Sequence, residues 1–381
     1  MAYVEIKPDL LRWARKRSGR SLFDLGRRFP NIAAWESGEA RPTLKQLESF
    51  AKATYTPVGF LFLQEPPVEQ VPIPDYRTMD NEYAGYPSPN LLDTIYICQQ
   101  RQEWYRDYMR SITEEPLPFV GSLSLTGNIA DTAAEIRNVL GFDLNERRRV
   151  PTWTEALRRF IEQADEAGIM VMCSGVVLNN NRRHLVPEEF RGFAIADDLA
   201  PLVFINGADT KAAQMFTLAH ELAHIWLGRS ALSDSQPAIL PGNDVERWCN
   251  QVAAEILVPL SVLIDEYQER TPLRDEMDRL ARHFKVSTLV ILRRIFDAGG
   301  ITYDELRSEY SRELQRLIRL TKGGAGGNFY LTQAARVSKR FARAVVISTL
   351  EGQTLYRDAF RMLGFSKLTT FRELGRSLGV A

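Results

Sequence analysis

Histidine and cysteine are scarce in this chain. Its 381 residues include four histidines: His184, His220, His224 and His283. The three cysteines, Cys98, Cys173 and Cys249, are widely spaced and odd in number. That pattern excludes a disulfide framework and a paired-cysteine zinc site, and it fits a reducing cytoplasm. Net charge is also missing: 48 Lys and Arg balance 48 Asp and Glu. The chain as a whole therefore makes no electrostatic claim on nucleic acid. No apolar run approaches the roughly 20 residues of a membrane span, and the N-terminus lacks the apolar core of a signal peptide. No membrane partner is expected. The length allows two or three domains.

Against that scarcity, two of the four histidines stand four apart. Phe216 to Leu227 reads as a mostly apolar helix containing His220-Glu221-Leu222-Ala223-His224. Residues four apart share a helix face, so both imidazoles aim at one point and Glu221 sits one residue round. Two neutral imidazoles, an open position and a carboxylate beside it are what a zinc hydrolase needs. Buried without a partner, these three groups would be costly, and a metal removes that cost. The competing reading is a helix with two satisfied core histidines.

A third ligand is sought in the next helical stretch, Gly242 to Pro259. Asn243 or Asp244 can cap it, and Val245, Trp248, Val252, Ala253, Ile256 and Leu257 form its apolar stripe. Glu246 and Asn250 share a face: a carboxylate ligand, with an amide one turn on that can hold a histidine through its second ring nitrogen. Glu255 is the rival ligand, and a solvated surface glutamate is the alternative for either.

His-Glu-Leu-Ala-His followed by Glu246-x-x-x-Asn250-x-x-Ala253-Ala254-Glu255-x-Leu257-x-Pro259 resembles the ImmA/IrrE metallopeptidases. These are gluzincin-like zinc proteases of bacteria and their mobile elements. The resemblance covers roughly residues 150 to 300. It implies zinc on His220, His224 and Glu246, with Glu221 as the catalytic base. It also implies a protein substrate that is a regulator, commonly a DNA-bound repressor.

Residues 1 to about 65 read as short helices with tight turns. They resemble an Xre/Cro-type helix-turn-helix domain through Ser21-Leu22-x-x-Leu25, Trp35-Glu36-Ser37-Gly38 and Pro42-Thr43-x-x-x-Leu47. Residues 1–63 carry eleven Lys and Arg against six Asp and Glu, which fits phosphate contacts. Ser21 to Trp35 is four residues shorter than the usual pattern, about one helical turn, and the loss falls where bases are read. DNA binding and a protein-docking or dimerisation role both stay open.

Residues 66–150 begin with a proline-rich, extended linker and Asp75-Tyr76-Arg77-Thr78, where Asp75 and Arg77 are expected to pair. Helices are expected over Leu91–Arg110 and Ile129–Leu140, and Arg147-Arg148-Arg149 in a solvated loop. Over 151–300 a helix, a buried strand at Ile169–Cys173 and a hairpin over Phe190–Asn206 precede the metal helix. This is the zincin plan, with a free strand edge for an extended substrate. His184 is expected in a polar loop. His283 is a candidate oxyanion stabiliser. Residues 301–381 read as a helical accessory domain. Its glycine run Gly323–Gly327 is expected to be a hinge, and 359–374 is weakly like a second helix-turn-helix.

The expected fold is α+β and mostly helical. A helix-turn-helix bundle (1–65), a linker and connector (66–150), a zincin-like domain with a small sheet (151–300) and a helical accessory domain (301–381) follow in order. The expected function is a zinc-dependent endopeptidase acting on a repressor or an antitoxin-like regulator. The alternative is a non-proteolytic DNA- or protein-binding regulator, such as the partner of a toxin encoded nearby. A homodimer is compatible with either.

Overall fold

The structure, a computed structural model, describes residues 3–77, 87–112, 115–233, 243–320 (side chains to 317) and 335–380. The glycine run lies outside them. The fold is mostly helical with one small mixed sheet. The chain divides into two compact units. One is Met1–Pro72 with Met79–Ile95; the other is Ile73–Thr78 with Tyr96–Ala381. No single helix among the described residues is long and apolar enough to cross a membrane.

The first unit is built on α1 (Pro8–Arg17), α2 (Leu22–Gly26), α3 (Ile32–Ser37) and α4 (Leu44–Ala53). Capping boxes start α2 at Ser21 and α4 at Thr43, and Gly38 closes α3 in the left-handed region. Leu10, Leu11, Leu25, Phe29, Trp35, Leu47 and Phe50 form the core. Arg15 grips the nearly buried Glu36 through two hydrogen bonds of 2.7 and 3.0 Å. The shortened stretch leaves α2 and α3 with 5 and 6 residues. On α3 only Ala33 and Ser37 are fully exposed, behind an exposed Asn31 cap.

In the second unit the sheet has the order β1-β3-β2-β4. β1 (Met170–Ser174) runs parallel to β3 (Leu202–Asn206). β2 (Gly192–Ile195) is antiparallel to both β3 and β4 (Ala231–Ser233). The strands are apolar on both faces because both are covered. Met172 meets Cys98 and Arg101 of α5 (Pro89–Ser111), while Cys173, on the other face, reaches Gln214 of α9 (Lys211–Trp226). α6 (Ile129–Leu140), α7 (Leu144–Arg149) and α8 (Trp153–Glu166) precede the sheet. After it come α10 (Asp244–Leu257), α11 (Leu260–Glu266), α12 (Leu273–Phe284), α13 (Thr288–Asp297) and α14 (Tyr303–Leu320). α9 packs on β2, β3, α8 and α10. At the C-terminus α15 (Lys339–Leu350) packs on β1, and α16 (Tyr356–Leu363) and α17 (Leu368–Ser377) pack on α15.

One expectation fails here. Arg147 is not in a solvated loop. It lies within α7 and is buried, donating to the carbonyls of Phe284 and Lys285 at the end of α12. Burial pulls its guanidinium down to about 9. The three arginines are adjacent in sequence, but only this one points at unpaired helix-end carbonyls.

Gln102 of α5 holds the β2–β3 turn by donating to Ile195 O (3.0 Å) and Ala200 O (2.9 Å). Gln102→Leu keeps the bulk but leaves two buried acceptors unmet. The expected loss is about 1–3 kcal/mol in urea unfolding; unchanged stability would contradict this anchoring.

Candidate metal centre

The metal helix is capped by Thr210, whose side chain accepts from Ala213 N. Every residue from Gln214 to Trp226 is buried. Placing His220, Glu221 and His224 in such a helix is costly wherever they lack partners. Its neighbour α10 is capped by Asn243, which puts Glu246 in the first turn, facing α9.

Three side chains that can ligate a metal meet there. His220 Nε2 lies 3.2 Å from Glu246 Oε2, His224 Nε2 lies 3.0 Å from Glu246 Oε1, and the two Nε2 atoms are 3.2 Å apart. All three residues are buried. Ligand atoms held roughly 2.0–2.1 Å from a four-coordinate zinc stand about 3.3 Å from one another, and the separation of the two Nε2 atoms and of each from a Glu246 oxygen is of that size. The His220 Nδ1–H donates to Asn250 Oδ1 at 2.9 Å, which leaves the Nε2 lone pair free for a cation. Two nitrogens and a carboxylate oxygen suit zinc among the common cations.

Burial works against ionisation of Glu246, but His220 and then His224 override it and hold the carboxyl down to about 2. It is therefore anionic at neutral pH, as a ligand must be. Glu221 is the opposite case. Burial pushes it up to about 8, against the pull of His220 and the Ser233 hydroxyl, and Glu246 adds to the rise. The Ser233 hydroxyl is near, but it completes no hydrogen bond in good geometry with Glu221. Neither Glu221 oxygen has a hydrogen-bond partner among the described residues. A carboxyl so placed is available to exchange a proton.

Gly192 makes room for that carboxyl. A Cβ there would stand 2.6 Å from Thr217 Cγ2, 2.8 Å from Phe204 O and 3.1 Å from Glu221 Oε1. No local pattern marks this glycine, because the close approach exists only once β2 lies under α9. Tyr76, from the proline-rich stretch, is a neighbour no local pattern announces: its ring stacks on His224, with centroids 6.2 Å apart and planes at 17°.

Other candidates fall elsewhere. Glu255 is engaged by Arg294 of α13 and accepts from Leu260 N, so it is not brought to the histidines. His283, the candidate oxyanion stabiliser, is not one of the three clustered residues. It sits beside Glu266 (3.5 Å) with its ring edge on Phe284, and none of these belongs to the cluster. It is half-buried on the flank of the packed stripe Met277, Leu280, Ala281 and Phe284 of α12. His184 bridges to Val176. Cys249 is a buried free thiol.

Residues 164–296 match the family model of the IrrE N-terminal-like domain, a peptidase family. His220, Glu221, His224, Glu246 and Asn250 all lie inside this peptidase-like segment. Residues 337–377, which include α15 to α17, match a domain of unknown function (DUF8813). No curated protein matches the chain, and no solved structure does.

Gly192→Ala is expected to cost about 1–3 kcal/mol of stability through overpacking against the Phe204 carbonyl and Thr217. Urea unfolding checks this, and an unaffected midpoint would show that the floor under Glu221 is not rigid.

Proposed function

We propose that the chain is a zinc-dependent endopeptidase that cuts a regulatory protein, a repressor encoded with it being the first candidate. The observation that supports this best is the pairing of a ligand triangle with an unpartnered buried carboxyl one residue from its first histidine. His220, His224 and Glu246 would hold the ion, and Asn250 would orient His220. Zinc, when bound, supplies a Lewis acid that polarises the scissile carbonyl and makes water more acidic. Glu221 takes a proton from the attacking water on a carboxylate oxygen and delivers it to the leaving amine, so that one water is consumed and an acid and an amine result. Burial excludes bulk water from that exchange.

The first unit bears on the choice of target. Its four-helix order supports the reading as a helix-turn-helix bundle, and its short α3, behind the exposed cap Asn31, offers Ala33 and Ser37 outward, neither of them basic. A protein target is the better fit for that surface.

The test is Glu221→Gln in the full chain. Zinc content should be retained, while cleavage of a co-encoded repressor falls by about 10²–10⁴-fold. Cleavage at the wild-type rate contradicts the assignment of the base. A specific gel shift on its own promoter, with no co-encoded repressor cut by the wild type, would favour a DNA-binding regulator without protease activity.

A further inference from the structure

The sheet ends at β4, and β4 is where an extended peptide could add. Leu232 is the residue whose N–H and carbonyl are turned to that outer side, since Ala231 and Ser233 flank it in the alternating ladder with β2. Both groups are already taken. Leu232 N donates to Pro74 O at 2.8 Å, and Tyr76 N donates to Leu232 O at 3.0 Å, which forms a parallel bridge. Residues 74–77 of the chain itself therefore lie along the edge as a short strap.

Three details show what the edge accepts. The strap is extended. It places the ring of Tyr76 over His224, a member of the ligand triangle. Its shape is fixed internally, because Arg77 N and the Arg77 guanidinium both donate to Asp75, at 3.1, 2.9 and 2.7 Å. The next strand inward, β2, contributes Gly192, the floor under Glu221. One strand spacing thus separates the strap from β4 and a second separates β4 from the reacting carboxyl's support. Proline at 74 offers no N–H, and the strap makes two ladder bonds with β4.

We propose that residues Pro74–Arg77 are a pseudosubstrate: they occupy the position of the polypeptide to be cut, which enters by displacing them. This rests on the peptidase reading above and names the class of its substrate. The target presents an extended segment with an aromatic side chain where Tyr76 now lies. In sequence the strap is bounded on both sides by stretches of the first unit, Met1–Pro72 and Met79–Ile95. Capture of a partner by that unit therefore has a covalent route to strap release.

The probe is a fluorescein-labelled peptide of the strap's own sequence, Ile-Pro-Asp-Tyr-Arg, read by anisotropy on the full chain with zinc and again with chelator. The double variant Asp75→Ala/Arg77→Ala, and separately Tyr76→Gly, should bind it at least tenfold more tightly than wild type. A peptide with glycine for tyrosine should lose that gain. In wild-type protein, saturating peptide should expose the amides of Tyr76 and Arg77 to hydrogen exchange while Leu232 stays protected. Equal affinity across wild type and both variants, or strap amides that stay protected at saturation, overturns the proposal. Edge pairing needs no metal, so zinc content measured on the same samples tests the metal reading separately. A zinc-free chain that passes the peptide test would sink the zinc-peptidase reading and leave the strap as an edge-binding device.

Discussion

Three side chains from two helices converge on one point inside the molecule, and burial makes that convergence unfavourable unless something cationic shares it. His220 and His224 come from one helix, Glu246 from the next, and all are sealed from solvent. Replacing them with apolar residues would serve a simple core better. That the helices carry them, with Asn250 fixing the ring of His220, is the constraint from which the rest of the second unit is understood.

The scaffold delivers those side chains through ordinary means. Threonine and asparagine caps set where the two helices start, so the ligand positions fall on facing turns. The sheet supports the first helix from below, and a missing Cβ at Gly192 lets Glu221 lie against β2. Away from the site, Arg294 takes Glu255 and the carbonyl of Val258, pinning the far end of α10 to α13. The two acidic residues of α10 that sequence left in competition are thus separated by their partners: one faces imidazoles, the other a guanidinium. Of the C-terminal helices, α15 packs on β1, at the sheet's far edge from β4.

Local periodicity made much of this legible. The histidines four apart, the glutamate and asparagine four apart, and the caps before each helix are all short-range patterns, and each is visible without knowing what packs where. The helix Ile129–Leu140 and the hairpin strands were readable for the same reason. What escaped was non-local. β4 is three residues of Ala-Leu-Ser, too short for any period, and it exists because β2 lies beside it. The strap pairs across more than 150 residues of sequence and has prolines that argue against strand. Arg147 differs from Arg148 and Arg149 only in direction, and His283 meets Glu266 and Phe284, contacts its own stretch of sequence does not announce.

The central claim is that the triangle of His220, His224 and Glu246 binds zinc. The most direct measurement is zinc stoichiometry and affinity of the full chain beside Glu246→Ala and Glu255→Ala, by metal analysis and competition with a chelating dye. The account expects one zinc per chain, at least tenfold weaker binding in Glu246→Ala, and unchanged binding in Glu255→Ala wherever that variant is folded. A wild-type chain that takes up no zinc, or a Glu246→Ala chain that binds it as tightly as wild type, would contradict the account.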